Sequence, residues 1–299
     1  MRLTAALLAS LRPRQWVKNF FVFAGVIFSQ QLLTPRAWTA LAAFVIFCGL
    51  SGAIYLFNDV VDADKDRLHE SKRRRPIASG ALPTGTALGF GVLLLAGCLA
   101  AAFRLSPAFG LVALFYGALL TTYSVWFKHL VILDVLTVAT GFVLRAVAGA
   151  VAVDAEISGW LLICTILIAL FLALGKRRHE YRSLTGDAAA HRPILAEYSE
   201  SFLDQMISVV TASTVTTYAL YTMSPETVAK FHTRLLPLTL PFVLYGIFRY
   251  LYLLYRRDLG GNPSDLLVTD RGLLLDALLW MVTLVAIIYA PVWNPAWAW

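Results

Sequence analysis

Apolar residues in this chain come in long unbroken runs, and short charged stretches separate them. A helix crosses the hydrocarbon core of a bilayer with about 20 apolar residues. On that ruler nine spans are predicted, near 19–34, 37–57, 84–103, 107–126, 130–152, 158–175, 203–223, 235–255 and 271–290. The expected fold class is therefore all-α, a polytopic membrane protein built as a bundle of nine transmembrane helices. No low-complexity linker or soluble domain interrupts the pattern, so residues 1–299 read as one transmembrane domain. Residues 1–18 carry basic side chains and a tryptophan and suit the membrane interface as an amphipathic segment. Two longer charged stretches, 58–83 and 176–202, hold most of the remaining polarity.

Composition agrees with the pattern. Hydrophobic residues make up 59% of the chain and charged ones 14%, against about a quarter charged in soluble domains. The net charge of +7 sits in juxtamembrane stretches, where cytoplasmic retention and anionic lipid headgroups account for it. No nucleic-acid partner is expected, and membrane lipids are. With the N-terminus cytoplasmic, the Lys and Arg residues that fall in the outer stretches are Arg36, Arg104, Lys230 and Arg234. That asymmetry puts both charged stretches on the cytoplasmic side and the C-terminus outside. Cys48, Cys98 and Cys164 lie singly within apolar runs and read as packing residues.

The chemistry concentrates where the second apolar run ends. On a helix, Asn58, Asp59, Asp62 and Asp66 project within an arc of about 100°, and Asp64 points to the far side, toward Arg67 or Lys65. Four oxygen-bearing side chains on one face repel one another unless a cation joins them, and hard oxygen donors select Mg²⁺, with Mn²⁺ as the alternative. Such an ion grips a diphosphate. Lys72 and Arg75, just downstream, supply positive charge for phosphate oxygens. At the end of the sixth run Lys176, Arg177 and Glu180 share a face, while Arg178 points away. Arg145 lies deep in the fifth span with no acidic residue at matching depth, which marks an intramembrane charge as functional. Asp134 falls within about 20° of it on the same stripe, nearer the cytoplasmic end.

The series Asn58-Asp59-x-x-Asp62-x-x-x-Asp66, followed by Arg67, Lys72 and Arg75-Pro76, resembles the first signature of the UbiA superfamily of intramembrane prenyltransferases. Members of that family carry a second acidic motif after the sixth span, where this chain has Gly175-Lys176-Arg177-Arg178-His179-Glu180. Together with Leu11-Arg12-Pro13-Arg14-Gln-Trp16-Val-Lys18-Asn19, Tyr123-Ser124-x-x-Phe-Lys128, Asp134, Gly141-Phe-Val-Leu-Arg145, and Pro263 with Asp270-Arg271, this is similar to the branch that moves a phosphoribosyl group onto a polyprenyl phosphate. The resemblance implies a nine-helix bundle in a bacterial-type plasma membrane with a cytoplasmic-facing active site. It implies phosphoribosyl pyrophosphate and a polyprenyl phosphate as substrates and pentose donors for envelope polymers as the destination. Self-association is left open.

On this reading Asp59, Asp62 and Asp66, helped by Asn58, hold the metal and do the catalytic work of stabilising the leaving pyrophosphate. Lys72 and Arg75 bind the pyrophosphate or the ribose 5-phosphate. Lys18, Lys128 and Arg145 bind the lipid phosphate, and Asp134, Lys176, Arg177 and Glu180 complete the substrate site. The lipid phosphate is already anionic, so no strong base is required. Two other activities fit parts of the pattern. An aromatic prenyltransferase would want the second acidic cluster, and a lipid or ion transporter would carry its polar residues nearer the midplane.

Overall fold

The computed structural model describes residues 3–68, 72–183 and 193–293, and among these every regular element is helical. A short helix α1 (Leu3–Ser10) leads into a 3₁₀ helix (Pro13–Phe23) that runs on into α2 (Ala24–Phe28). Then follow α3 (Arg36–Val61), α4 (Ala63–Leu68), α5 (Thr84–Leu105), α6 (Pro107–Val125), α7 (Leu133–Ala152) and α8 (Gly159–Ser183). The chain closes with α9 (Glu200–Met223), α10 (Pro225–Phe231), α11 (Leu240–Arg256), α12 (Pro263–Thr269) and α13 (Arg271–Trp293). Seven helices are long and apolar enough to cross a membrane, namely α3, α5, α6, α7, α8, α11 with its 3₁₀ lead-in, and α13.

The two expected spans outside these seven are instructive. The stretch 19–34 is not one α-helix: the rod starts at Pro13, whose fixed φ suits a first helical position, and stops at Ser29, with Gln30 at a left-handed φ of 59°. Glu200–Met223 is helical as expected, but its serines and threonines lower its hydropathy. Their hydroxyls bond back to carbonyls one turn earlier, Ser208 to Asp204, Ser213 to Val209 and Thr214 to Val210, at 2.7–2.9 Å. That self-satisfaction makes the helix compatible with an apolar surround. The first helix departs from the expected amphipathic form, because Leu3–Ser10 is apolar almost all round and carries no charged residue.

Burial separates centre from rim. Over half of the apolar windows of α3 and α7 is buried, against 17% for α5. Both central helices are rich in Gly and Ala, which lets backbones approach closely without a hydrophobic driving force from water. The closest approach joins α7 to the 3₁₀ rod. A Cβ added to Gly149 would lie 1.8 Å from the Val22 carbonyl oxygen, and one on Gly25 would lie 2.4 Å from the Ala150 nitrogen. Gly149→Ala is therefore expected to cost more than the ~1–3 kcal/mol of ordinary overpacking, since its neighbour is backbone that cannot rotate aside. Thermal unfolding in detergent checks this against Gly117→Ala, where nothing lies within 4 Å. The control should be neutral or slightly stabilising.

Candidate active site

The acidic stretch is almost one continuous helix. Asp62 closes α3, yet its N–H still donates to the Asn58 carbonyl at 2.9 Å and its own carbonyl accepts from Asp66 at 2.8 Å. The predicted face is thereby kept across the junction. Asp59 and Asp66 are 2% and 3% exposed, and Asn58 and Asp62 are half-buried. Asp64 points outward and pairs with Arg67 at 2.6 Å, one of the two partners its direction allowed.

Residues 72–83 fold back over this face. Lys72 lies exposed on a 3₁₀ turn, Lys72–Arg74, and the Leu82 N–H closes the loop onto the Pro76 carbonyl at 2.9 Å. Gly80, at φ 78°, makes the turn. Ile77 and Leu82 are buried against Ala6, Leu56, Ala63 and Ala87, and this small core carries Arg75 back to the carboxylates. The Nη1 of Arg75 donates to Asp66 at 2.5 Å and to Asp59 at 3.0 Å. Arg12 donates to the same Asp59 oxygen. Lys128, on the 3₁₀ turn before α7, donates to Asp62 at 3.2 Å.

A second polar cluster lies within the bundle. Arg145 is 4% exposed and meets only neutral groups: it donates to Asn19 at 2.7 Å, to the Tyr116 hydroxyl at 2.5 Å and to the Gly141 carbonyl at 2.8 Å. The rings of Tyr116 and Phe142 face its guanidinium. Lys18 is near it. Burial first, and then the nearby Arg145 and Arg12, push the Lys18 ammonium down to about 8, with Asp265 opposing. Beyond Val17 and Leu267 opens a largely apolar chamber of about 1020 Å³, bounded by the 3₁₀ rod, α8, α9, α11 and α13.

The α8 end is braced inward. Arg177, 3% exposed, donates to Asp134 and to Glu180 at 2.6 Å each and to the Tyr123 hydroxyl at 3.2 Å. Asp134 is fully buried, and its other oxygen accepts from Tyr198 at 2.8 Å. Tyr198 in turn accepts the N–H of Ile132, held at the strained φ of 67°. Asp134 therefore has no surface for substrate, because its oxygens are spent on tying α7, α8 and the 193–198 segment together. Lys176 is half exposed and 3.7 Å from Glu180. Arg178 does face away from that group, but into Asp204, Glu200 and the Tyr255 ring, not into solvent.

Among the described residues no three His, Cys, Asp or Glu side chains converge tightly enough to hold a metal by themselves. Mg²⁺ does not require that. It usually takes one or two carboxylates and completes its octahedron with water and substrate phosphate. Asp59 and Asp66 already share one cationic nitrogen of Arg75, so this pair would suit a divalent ion, with Asn58 beside Asp59 and Asp62 one turn along.

Residues 19–265 match the model of the UbiA prenyltransferase family. The chain belongs to that family. The decaprenyl-phosphate phosphoribosyltransferase of Corynebacterium glutamicum is 34% identical over 96% of this chain and 88% of its own. Its namesake in Mycobacterium tuberculosis is 32% identical over 94% of this chain and 93% of its own. Among solved structures, a UbiA homologue from Archaeoglobus fulgidus bound to GPP and Mg²⁺ superposes with a TM-score of 0.72 at 20% identity, covering 95% of this chain and 98% of that one. UbiA membership brings the all-helical membrane architecture with it.

Arg12, Asn19, Tyr116, Tyr123 and Tyr198 complete the site and were not among the predicted site residues. Arg12, Asn19 and Tyr123 stood in the stretches that carry the family resemblance but were given no site role, Arg12 reading as a topology charge, and Tyr116 and Tyr198 carry no signal beyond a polar tip that wants a partner.

Proposed function

We propose that this protein transfers a 5-phosphoribosyl group from phosphoribosyl pyrophosphate to a polyprenyl phosphate such as decaprenyl phosphate, releasing pyrophosphate. The charge layout carries this reading: one acidic face, then the cations Lys18 and Arg145, with the half-exposed Lys176 beside Glu180, where a diphosphate-only site would want more carboxylates. Relatives over nearly the full length carry that activity in their names.

Asp59, Asp62 and Asp66, with Asn58, hold Mg²⁺ or Mn²⁺. The ion neutralises charge on the departing pyrophosphate. Lys72 and Arg75 bind donor phosphates, and Lys176, oriented by Glu180, takes a third phosphate. Arg177 positions that end of α8 through Asp134. Lys18, Arg145 and Lys128 hold the lipid phosphate against the anomeric carbon, and the isoprenoid tail occupies the apolar chamber. We assign the remaining two of nine crossings to the apolar stretch beginning at Asn19 and to Glu200–Met223. The site then faces the cytoplasm in a bacterial-type plasma membrane, with the N-terminus inside and the C-terminus outside. Copies of the chain are free to associate.

Pyrophosphate release should require the pentosyl donor, the lipid phosphate and Mg²⁺ together, stop with chelator and resume with Mg²⁺ or Mn²⁺. Release from a prenyl diphosphate and an aromatic acid, with none from the pentosyl donor, would contradict the reading. Lys18 adds a pH signature. Its ammonium loses its proton as pH rises through about 8, so the KM for polyprenyl phosphate should climb above that pH. In Lys18→Arg, which stays charged, the climb should vanish.

A further inference from the structure

We propose that Arg12 is a substrate-contacting residue that changes partners during loading: a divalent ion takes the Asp59 carboxylate, and the Arg12 guanidinium turns to the donor pyrophosphate. The proposal rests on the reading of 58–66 as a metal–diphosphate site.

Arg12 is built into place. Gly52, Tyr55 and Asp59 recur at i, i+3 and i+7 and so line one stripe of α3. Leu11 seats on Gly52, where an added Cβ would lie 2.8 Å from a Leu11 methyl. Arg12 then lies over the Tyr55 ring, 4.8 Å from its centre, and ends on Asp59. To make that corner its backbone adopts φ 52°, ψ 63°, a left-handed conformation that a β-carbon disfavours. Strain of this kind persists only where surrounding contacts impose it.

A purely structural ion pair does not need this arrangement. Asp59 already accepts from Arg75, and Arg12 brings a second guanidinium to the same oxygen, Oδ1. Two cations meeting on one oxygen repel each other there, and Arg75, which also donates to Asp66, holds the carboxylate pair without Arg12. Arg12 spends only one hydrogen bond on the protein, through Nη2, although a guanidinium has five N–H donors. Its side chain is 28% exposed. The unspent donors form the planar fork that grips phosphate oxygens in pairs.

Position supplies the rest. Arg12 stands between two parts of the site, with the acidic face on one side and the Lys18–Arg145 cluster on the other. Tyr55 lies within electrostatic reach of both Arg12 and Arg145, and Lys18 lies within reach of the same two. From there one guanidinium can meet the leaving pyrophosphate while adding its charge to the field that holds the attacking phosphate. A metal arriving at Asp59 displaces Arg12, and an arriving diphosphate gives the displaced guanidinium a new partner. The two ligands must therefore favour each other, by the same factor in either direction.

The test is Mn²⁺ binding to the full chain in detergent micelles, followed by electron paramagnetic resonance with and without inorganic pyrophosphate. Wild type should bind Mn²⁺ about tenfold tighter when pyrophosphate is present, within the usual range of coupling between sites. Arg12→Gln should bind Mn²⁺ alone at least as tightly as wild type, because a competing cation is gone, and should lose most of the pyrophosphate enhancement. Arg12→Lys keeps the charge without the fork and should lose the enhancement with folding intact. This second variant decides the matter if the first does not fold. Enhancement unchanged in Arg12→Lys, or absent in wild type, would overturn the proposal. So would weakened Mn²⁺ binding in Arg12→Gln with an unchanged response to pyrophosphate, since Arg12 would then merely support Asp59. No pentosyl donor or lipid is used, so failure of the phosphoribosyl reading and failure here remain distinguishable.

Discussion

Asp62→Ala is expected to lower the transfer rate by about 10²–10³-fold, the scale of losing one preorganised electrostatic contact to a developing charge, while leaving the unfolding temperature nearly unchanged. The separation follows from what Asp62 touches. Its partner is Lys128 at 3.2 Å, and the two side chains are 29% and 19% exposed. An ion pair this open to solvent contributes at most about 1 kcal/mol. Asp59→Ala is a poorer probe, because Asp59 is buried and holds two arginines, so activity and folding would fall together. Turnover and thermal unfolding of Asp62→Ala, measured on one preparation, decide the point. Retained turnover would reduce the acidic face to a solvated helix end. A matched fall in both would make Asp62 a structural residue.

The largest effect on stability is expected where α7 is braced to α8. Asp134→Ala should cost about 3–5 kcal/mol, because it leaves Arg177 buried with a major part of its compensation gone. Both partners are almost inaccessible, at 0% and 3%, and 2.6 Å apart. Two rescues follow from the same physics. Asp134→Asn keeps one acceptor oxygen for Arg177 while its NH2 turns to the Tyr198 hydroxyl as a donor, and it should cost less. The double variant Asp134→Leu, Arg177→Met removes both charges and should recover most of the loss, as replacement of whole buried pairs by apolar residues often does. Resistance to unfolding by a denaturing detergent measures all three. An Asp134→Ala variant as stable as wild type would mean that Glu180 and Tyr123 satisfy Arg177 unaided.

These two residues also show where sequence reading reaches its limit. Asp62 was legible because helical spacing is local: an arc of oxygen donors survives even the break between α3 and α4, since the hydrogen-bond ladder runs through it. The outward direction of Asp64 and its pairing with Arg67 were legible for the same reason. The Asp134–Arg177 bond joins positions 43 apart on two helices. Helical phase indicated that Asp134 faces the interior but could not indicate that Arg177 meets it there. Arg12 was hidden differently. Its charge fits the topology rule, and only the seating of Leu11 on Gly52 reveals that it reaches the acidic face. The first span was displaced because apolarity sets where a helix is tolerated, whereas Pro13 and the left-handed Arg12 set where it starts.

The most direct test of phosphoribosyl transfer uses membranes carrying the protein, Mg²⁺, phosphoribosyl pyrophosphate labelled in the ribose, and a polyprenyl phosphate. The label should move into a lipid-extractable product, and that transfer should disappear with Asp62→Ala and with chelator. If no labelled lipid forms with polyprenyl phosphates of any chain length, while a prenyl diphosphate reacts with an aromatic acid, the pentosyl assignment is contradicted and only the family assignment stands.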